Sequence, residues 1–166
     1  MTHYIFDMDG TLFQTNAVLA HALEDVFHDL RQAGRWEGDT PLALYQQIMG
    51  VSLPEVWATL LPDFSLAEQH AADLKFRRSL EQAVEAGHGK LYPGTVELLV
   101  RLKQAGHPVY IASNGWPSYL SAIVRTYGLE VYIDHVYSIE DIASGNKSAL
   151  VREICQMHDI TSGYVV

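Results

Sequence analysis

Two carboxylates stand two residues apart at the end of a short apolar run, Tyr4-Ile5-Phe6-Asp7-Met8-Asp9-Gly10-Thr11-Leu12-Phe13. Burying a charge is costly unless it is paired or bound to a metal, so a buried strand has no structural use for two acids at its end. The chemistry that fits is an aspartate nucleophile, a second aspartate handling protons, and a turn whose backbone amides face a phosphate. A capped strand-to-helix turn also favours Asp, Gly and Thr. The ten-residue run as a whole shifts the balance toward chemistry.

Two further polar groups follow apolar segments. Ser113-Asn114-Gly115 comes directly after Val109-Tyr110-Ile111-Ala112, a strand of the continuous, fully buried kind. Gly145-Asn146-Lys147 stands at the start of a helix, beyond a short strand at about 134–137. Ligands of open parallel sheets bind beyond the carboxyl ends of the strands. All three groups therefore converge on one edge.

The elements that must position them read as follows. After the first strand, residues 16–87 are helix upon helix. Val18, Leu19, Ala22, Leu23, Val26, Phe27 and Leu30 keep the helical period. Thr40-Pro41 predicts a cap residue followed by proline in the first helical position. Ser52-x-x-Glu55 and Ser65-x-x-Glu68 predict capping boxes. From Lys90 onward strands alternate with helices: a helix after Pro93-Gly94-Thr95 with Val96, Leu98, Leu99 and Leu102 inward, the strand at 109–112, a helix through Tyr119, Leu120, Ile123, Val124 and Tyr127, the strand near 134–137, a helix over about 148–158, and a strand beginning at Gly163-Tyr164-Val165-Val166. Alternation of this kind means parallel βα units. The predicted fold is α/β: a three-layer, Rossmann-like parallel-sheet core built from 1–15 and 88–166, with an all-helical unit inserted at 16–87.

Composition narrows the function classes. The 166 residues are 48% hydrophobic and 19% charged, ordinary for a globular chain. The formal net charge of −9 argues against a nucleic-acid partner, which requires a basic face. The one cysteine, Cys155, cannot form an intramolecular disulfide and reads as a small core side chain. No window approaches the ~20 apolar residues of a membrane span, and Asp7 interrupts the one early apolar run, so a cytoplasmic location is expected. The eight histidines form no metal-ligand pattern. Lys75, Arg77 and Arg78 could meet an anion, but such clusters are more often a solvated helix face.

With these motifs in place, the chain resembles the haloacid dehalogenase-like (HAD) hydrolase superfamily, in the subgroup with a helical cap after the first strand, close to phosphoglycolate phosphatase-like and β-phosphoglucomutase-like enzymes. Asp7-Met8-Asp9-Gly10-Thr11-Leu12-Phe13 matches the first motif, Ser113-Asn114-Gly115 the second and Lys147 the third, while Tyr92-Pro93-Gly94-Thr95 matches the re-entry from the cap. The resemblance implies that Asp7 attacks phosphorus to form an aspartyl-phosphate, and that Asp9 acts as acid and then base. It implies Mg2+ held by Asp7 and the Asp9 carbonyl, and a phosphate bound by Ser113, Asn114, Lys147 and Thr11. An acid at position 9 also separates phosphoester chemistry from the dehalogenase and ATPase members. Gly50-Val51-Ser52, between two cap helices, corresponds to a specificity loop in related enzymes; an ordinary helix–helix connection is the alternative.

The implied function is a Mg2+-dependent phosphatase for a small phosphorylated metabolite. A phosphosugar mutase and a non-catalytic binding protein are the alternatives. The family's fourth motif, a strand followed by acids that complete the magnesium site, begins at Tyr164-Val165-Val166 without its acids. The chain therefore reads as a shortened version of a longer protein, with weak Mg2+ binding and low turnover expected. A partly unpaired edge on the strand carrying Asp7 is expected as well, and with it a dimer through that sheet edge.

Overall fold

A computed structural model describes residues 1–143 and 145–166. The chain divides into two compact units: Met1–Thr15 with Gly89–Val166, and Asn16–His88.

The first unit holds a four-stranded parallel sheet of β1 (His3–Phe6), β2 (Val109–Ser113), β3 (His135–Ser138) and β4 (Gly163–Val165), in the order β3-β2-β1-β4. Its helices are α5 (Thr95–Gln104), α6 (Pro117–Thr126) and α7 (Lys147–Met157). The second unit is all-helical among the described residues: α1 (Asn16–Gln32), α2 (Leu42–Gln47), α3 (Leu53–Leu60) and α4 (Leu66–Glu85). This is the α/β, Rossmann-like architecture that the alternating pattern predicts.

The sheet is built on β2, in which all five residues are buried. Tyr4 pairs with Val109 and Phe6 with Ile111, while Ser113 pairs with Ser138. The carboxyl ends of β1, β2 and β3 therefore lie abreast. Under α7 the sheet packs Ile5, Tyr110 and Ala112 against Leu150 and Ile154, with Cys155 partly buried beside them. At roughly 25 cal/mol per Å2 of apolar surface removed from water, a fully buried Leu or Ile here contributes about 2 kcal/mol.

One expectation is overturned at the sheet. The edge of β1 is not left unpaired: His3, Tyr4 and Ile5 pair with Gly163, Tyr164 and Val165 of β4, and the Asp7 N–H donates to the Val166 carbonyl at 2.9 Å. Three residues of β4 suffice to cover β1, because parallel pairing needs only matched backbone. The outer position in the sheet belongs to β4, where Tyr164 and Val165 stay exposed.

Smaller differences have local causes. Pro41 sits at the cap position of α2 rather than inside it, and the Thr40 hydroxyl donates to Glu24 instead of capping the helix. Val96 and Leu98 face solvent, leaving Leu99 and Leu102 as the buried stripe of α5. His88 belongs to the helical unit, its N–H closing onto the Ala83 carbonyl at 3.0 Å. The two glutamate boxes form as expected: Glu55 accepts from the Ser52 N–H at 3.0 Å and Glu68 from the Ser65 N–H at 2.8 Å.

In the helical unit α1 packs along α4, and α4 along α3. Val18, Leu19, Ala22, Leu23, Val26 and Phe27 form the buried face of α1. Trp57 is 1% exposed and donates its indole N–H to Asp73 at 2.9 Å, so its one polar atom is satisfied.

Candidate active site

The turn after β1 is fixed by one carbonyl. Met8 O accepts N–H groups from Thr11 at 3.3 Å, Leu12 at 3.0 Å and Phe13 at 3.0 Å. The Gly10 N–H returns to the Phe13 carbonyl at 2.9 Å, with Gly10 at φ +77°, a conformation that a side chain would strain. The following residues are tied to the segment that re-enters this unit. Gln14 N–H donates to Lys90 O at 2.7 Å and Tyr92 N–H to Leu12 O at 2.9 Å. Packing there is close: a Cβ on Gly89 would lie 2.2 Å from Cζ of Phe13. The ring of Tyr127 also lies against Phe13, with centroids 5.6 Å apart.

Asp7 and Asp9 emerge from this turn into different surroundings. Oδ1 of Asp7 accepts the Met8 N–H at 2.8 Å and lies 2.6 Å from Nζ of Lys147. Lys147 is the first residue of α7, whose cap is the Asn146 side chain accepting from the Ala149 N–H at 2.8 Å. A cation is poorly placed at a helix N-terminus, where the backbone dipole presents positive charge. The partner that offsets this is Asp7. A residue that breaks a local rule to complete a charge pair marks a site built for more than stability.

Asp9 retains partial exposure as a residue, but its carboxylate is closely surrounded. Its Oδ1 accepts the Thr15 hydroxyl at 2.6 Å and the Tyr119 hydroxyl at 2.6 Å. Burial raises its pKa above the ordinary aspartate value; the two hydroxyls oppose that rise, the charge of Asp7 adds to it and the charge of Lys147 opposes it. The pair thus consists of one carboxylate beside a cation and one buried carboxyl biased toward its protonated form.

Ser113 ends β2 with no exposed surface, and its Oγ accepts the Gly115 N–H at 3.0 Å. That leaves its hydroxyl hydrogen to be donated. Gly115 is held in turn by Ser138, which donates to its carbonyl at 2.6 Å and accepts the Glu140 N–H at 3.1 Å. The Asp141 carboxylate accepts the Ser138 N–H at 2.7 Å. The ends of β2 and β3 are therefore locked to each other.

Of the residues singled out from sequence, Asp7 and Lys147 are in direct contact, Asp9 lies two residues on, and Ser113 ends the strand next to β1. Asn114 is exposed beyond β2, and Thr11 contributes its amide to the turn. Gly50, Val51 and Ser52 belong to the helical unit, linking α2 to α3, with Gly50 at φ +100° and Val51 47% exposed. Lys75 and Arg77 are paired with acids, Lys75 with Asp29 at 3.1 Å and Arg77 with Asp73 at 3.0 Å. The sequence reading missed Thr15, Tyr119 and Ser138. Thr15 reads as a helix cap and Tyr119 as a core position. The one available signal was a phenol in the first turn of the helix after Ser113-Asn114-Gly115, where a hydroxyl can reach back to the sheet edge.

Among the described residues no three His, Cys, Asp or Glu side chains come together as a metal cluster. No helix among them is long and apolar enough to cross a membrane.

The chain is 33% identical over 140 residues to a phosphoglycolate phosphatase of Rhodobacter capsulatus, covering 80% of this chain and 59% of that protein. It is 27% identical over 146 residues to the "probable phosphatase IndB" of Dickeya dadantii, covering 84% and 59%. The chain thus spans 59% of the length of the curated relatives it matches. Among solved structures, CbbY from Rhodobacter sphaeroides in complex with phosphate superposes with a TM-score of 0.77 at 21% identity, over 99% of this chain and 77% of that one. A haloacid dehalogenase-like family protein from Streptococcus pneumoniae superposes with a TM-score of 0.74 at 19% identity, over 99% and 74%. The family model described as haloacid dehalogenase-like hydrolase matches residues 1–162, and the chain belongs to that family.

Proposed function

We propose that this chain carries the core of a Mg2+-dependent phosphatase that hydrolyses a small phosphorylated metabolite through an aspartyl-phosphate. The observation that carries the reading is the pair of unlike carboxylates two residues apart: Asp7 beside Lys147 at 2.6 Å, and Asp9 buried with its pKa raised. Divergent environments for neighbouring carboxyls are how one site holds both a nucleophile and an acid.

The attacking group is the Asp7 carboxylate, whose Oδ1 accepts the Met8 N–H and lies beside Lys147. It forms a bond to phosphorus as the bond to the substrate oxygen breaks. The electron pair leaves with that oxygen, which takes the proton from Asp9. In the second step Asp9, now ionised, accepts a proton from water as the water oxygen attacks phosphorus. The bond from phosphorus to Asp7 breaks, returning a free carboxylate and inorganic phosphate. Lys147 counters the negative charge gathered around Asp7. The Ser113 hydroxyl donates to a phosphoryl oxygen, and the amide of Asn114 and the turn containing Thr11 supply further polar contacts.

The Asp7 carboxylate and the Asp9 main-chain carbonyl would hold the Mg2+. Both are hard oxygen donors, and Mg2+ commonly binds one or two carboxylates while keeping waters and taking substrate phosphate oxygens, so the donor set suits it. When bound it supplies positive charge that offsets the repulsion between carboxylate and phosphate. The helical unit is assigned as a cap, with Gly50-Val51-Ser52 as its specificity loop.

The test is release of inorganic phosphate from a panel of phosphorylated metabolites, with and without Mg2+. Asp7→Asn should lower turnover by about 10^3-fold or more while leaving the fold intact, because the nucleophile is gone. Turnover that survives this change would sink the proposal.

A further inference from the structure

Resting on that reading, we propose that Tyr119 and Thr15 are positioning residues that clamp Oδ1 of Asp9 and so make Oδ2 the oxygen that delivers and recovers the proton. Both hydroxyls approach the same oxygen, each at 2.6 Å. That is the short range of a hydroxyl donating to a carboxylate. A carboxylate oxygen has two lone-pair sites, and two donors fill both. Among the described residues no hydrogen bond is directed at Oδ2. A proton on this carboxyl therefore resides on Oδ2.

The clamp has two independent anchors. Tyr119 lies in the first turn of α6, is 2% exposed, and has its ring 4.9 Å from that of Trp116, so its phenol has little freedom. Thr15 precedes α1, is 7% exposed, and its hydroxyl also lies 3.3 Å from the Phe13 carbonyl. Oδ1 can accept from both hydroxyls whether the carboxyl is neutral or ionised. The same geometry therefore serves a group that first gives a proton and later takes one. With Oδ1 fixed from two directions, rotation of the carboxyl is blocked and Oδ2 keeps one orientation. A positioned acid contributes rate only where the leaving group needs its proton.

That requirement provides the test. With Mg2+ present, kcat/KM, which reports the first phosphoryl transfer alone, is compared for an alkyl phosphate and for p-nitrophenyl phosphate, whose leaving group departs without a proton. Tyr119→Phe and Thr15→Val should each lower kcat/KM on the alkyl ester by about 10^2-fold. Both should stay within about threefold of wild type on the nitrophenyl ester. Thr15→Ser, which keeps the donor, should restore the alkyl ester rate. Equal loss on both esters, or no loss on either, would overturn the clamp. If wild-type protein turns over neither ester, the functional reading fails on its own, and the clamp is then read from the 13C resonance of the Asp9 carboxyl in labelled protein. That resonance should move in both Tyr119→Phe and Thr15→Val; an unmoved resonance removes the proposal.

Discussion

The two ends of the parallel sheet treat their polar and aromatic groups differently. Toward the amino end, the rings of His3, Tyr110, His135 and His158 contact one another, and Tyr137, one residue before the end of β3, reaches His158 through its hydroxyl. Tyr110 lies between the nearly parallel rings of His3 and His135, with centroid distances of 5.9 Å and 6.2 Å. Tyr137 and His158 share a hydrogen bond of 2.7 Å. Burial pushes the Tyr110 and Tyr137 hydroxyls up from their ordinary pKa, so both remain neutral. At the carboxyl end, Asp7 and Asp9 each have one oxygen bound and one oxygen open among the described residues, and Ser113 keeps a hydrogen to donate. Polarity alone does not distinguish a site from a packed edge. Bonding capacity left over after the neighbours have been satisfied does.

The largest test of this contrast removes the cation at the carboxyl end. Lys147→Met keeps the length and apolar stem of the side chain but leaves Asp7 without its 2.6 Å partner. We expect kcat for phosphate release to fall about 10^2-fold, the usual scale for losing one electrostatic partner of a reacting group. A change of less than about threefold would mean that the carboxyl end is as self-contained as the amino end.

A smaller effect is expected at the other end. Tyr137→Phe deletes the bond to His158 and should cost about 1 kcal/mol, lowering Tm by about 2–4 °C in a chain of this size. Turnover should be unchanged. Thermal melts and steady-state rates on the same samples check both halves, and a drop in kcat would blur the distinction between the two ends.

The smallest effect concerns Asp9 in metal-free protein. Its pKa is raised on folding, so the folded state favours its proton. The stability it contributes is complete below the ordinary aspartate pKa and is lost as pH rises through the raised value. Asp9→Asn mimics the neutral form. It should therefore melt above wild type at neutral pH, and the gap should close as pH falls toward the unfolded aspartate range. A wild type that melts above Asp9→Asn at neutral pH would reverse the assignment of burial as the dominant cause.

Much of this was legible in the sequence, for identifiable reasons. A buried parallel strand is written as a continuous apolar run, which located β2, and a polar group directly after it located Ser113. Asn146 read as the start of α7, which put Lys147 near a strand end. The missing parts lie at the tips of side chains. Helical spacing places Tyr119 on the buried face, where it is, but spacing says nothing about where a phenol oxygen ends. Thr15 has the residue type of a cap, and its hydroxyl serves Asp9 instead. Likewise Thr40-Pro41 has the right order for a helix start, but Glu24 draws the Thr40 hydroxyl away. Competition between a local role and a tertiary partner is invisible until the partner is in place. The pairing of β1 with β4 departs from expectation on a different ground, since three residues of backbone pair as well as a longer strand does.

Gly89 carries a consequence for heredity. A Cβ there would fall 2.2 Å from the Phe13 ring, and Phe13 closes the turn from which Asp9 emerges. One base change in the glycine codon would act as a wedge eighty positions away along the chain from the acids. A random screen for inactive, still-expressed protein should therefore return position 89 beside the charged residues, although glycine has no chemistry of its own to lose.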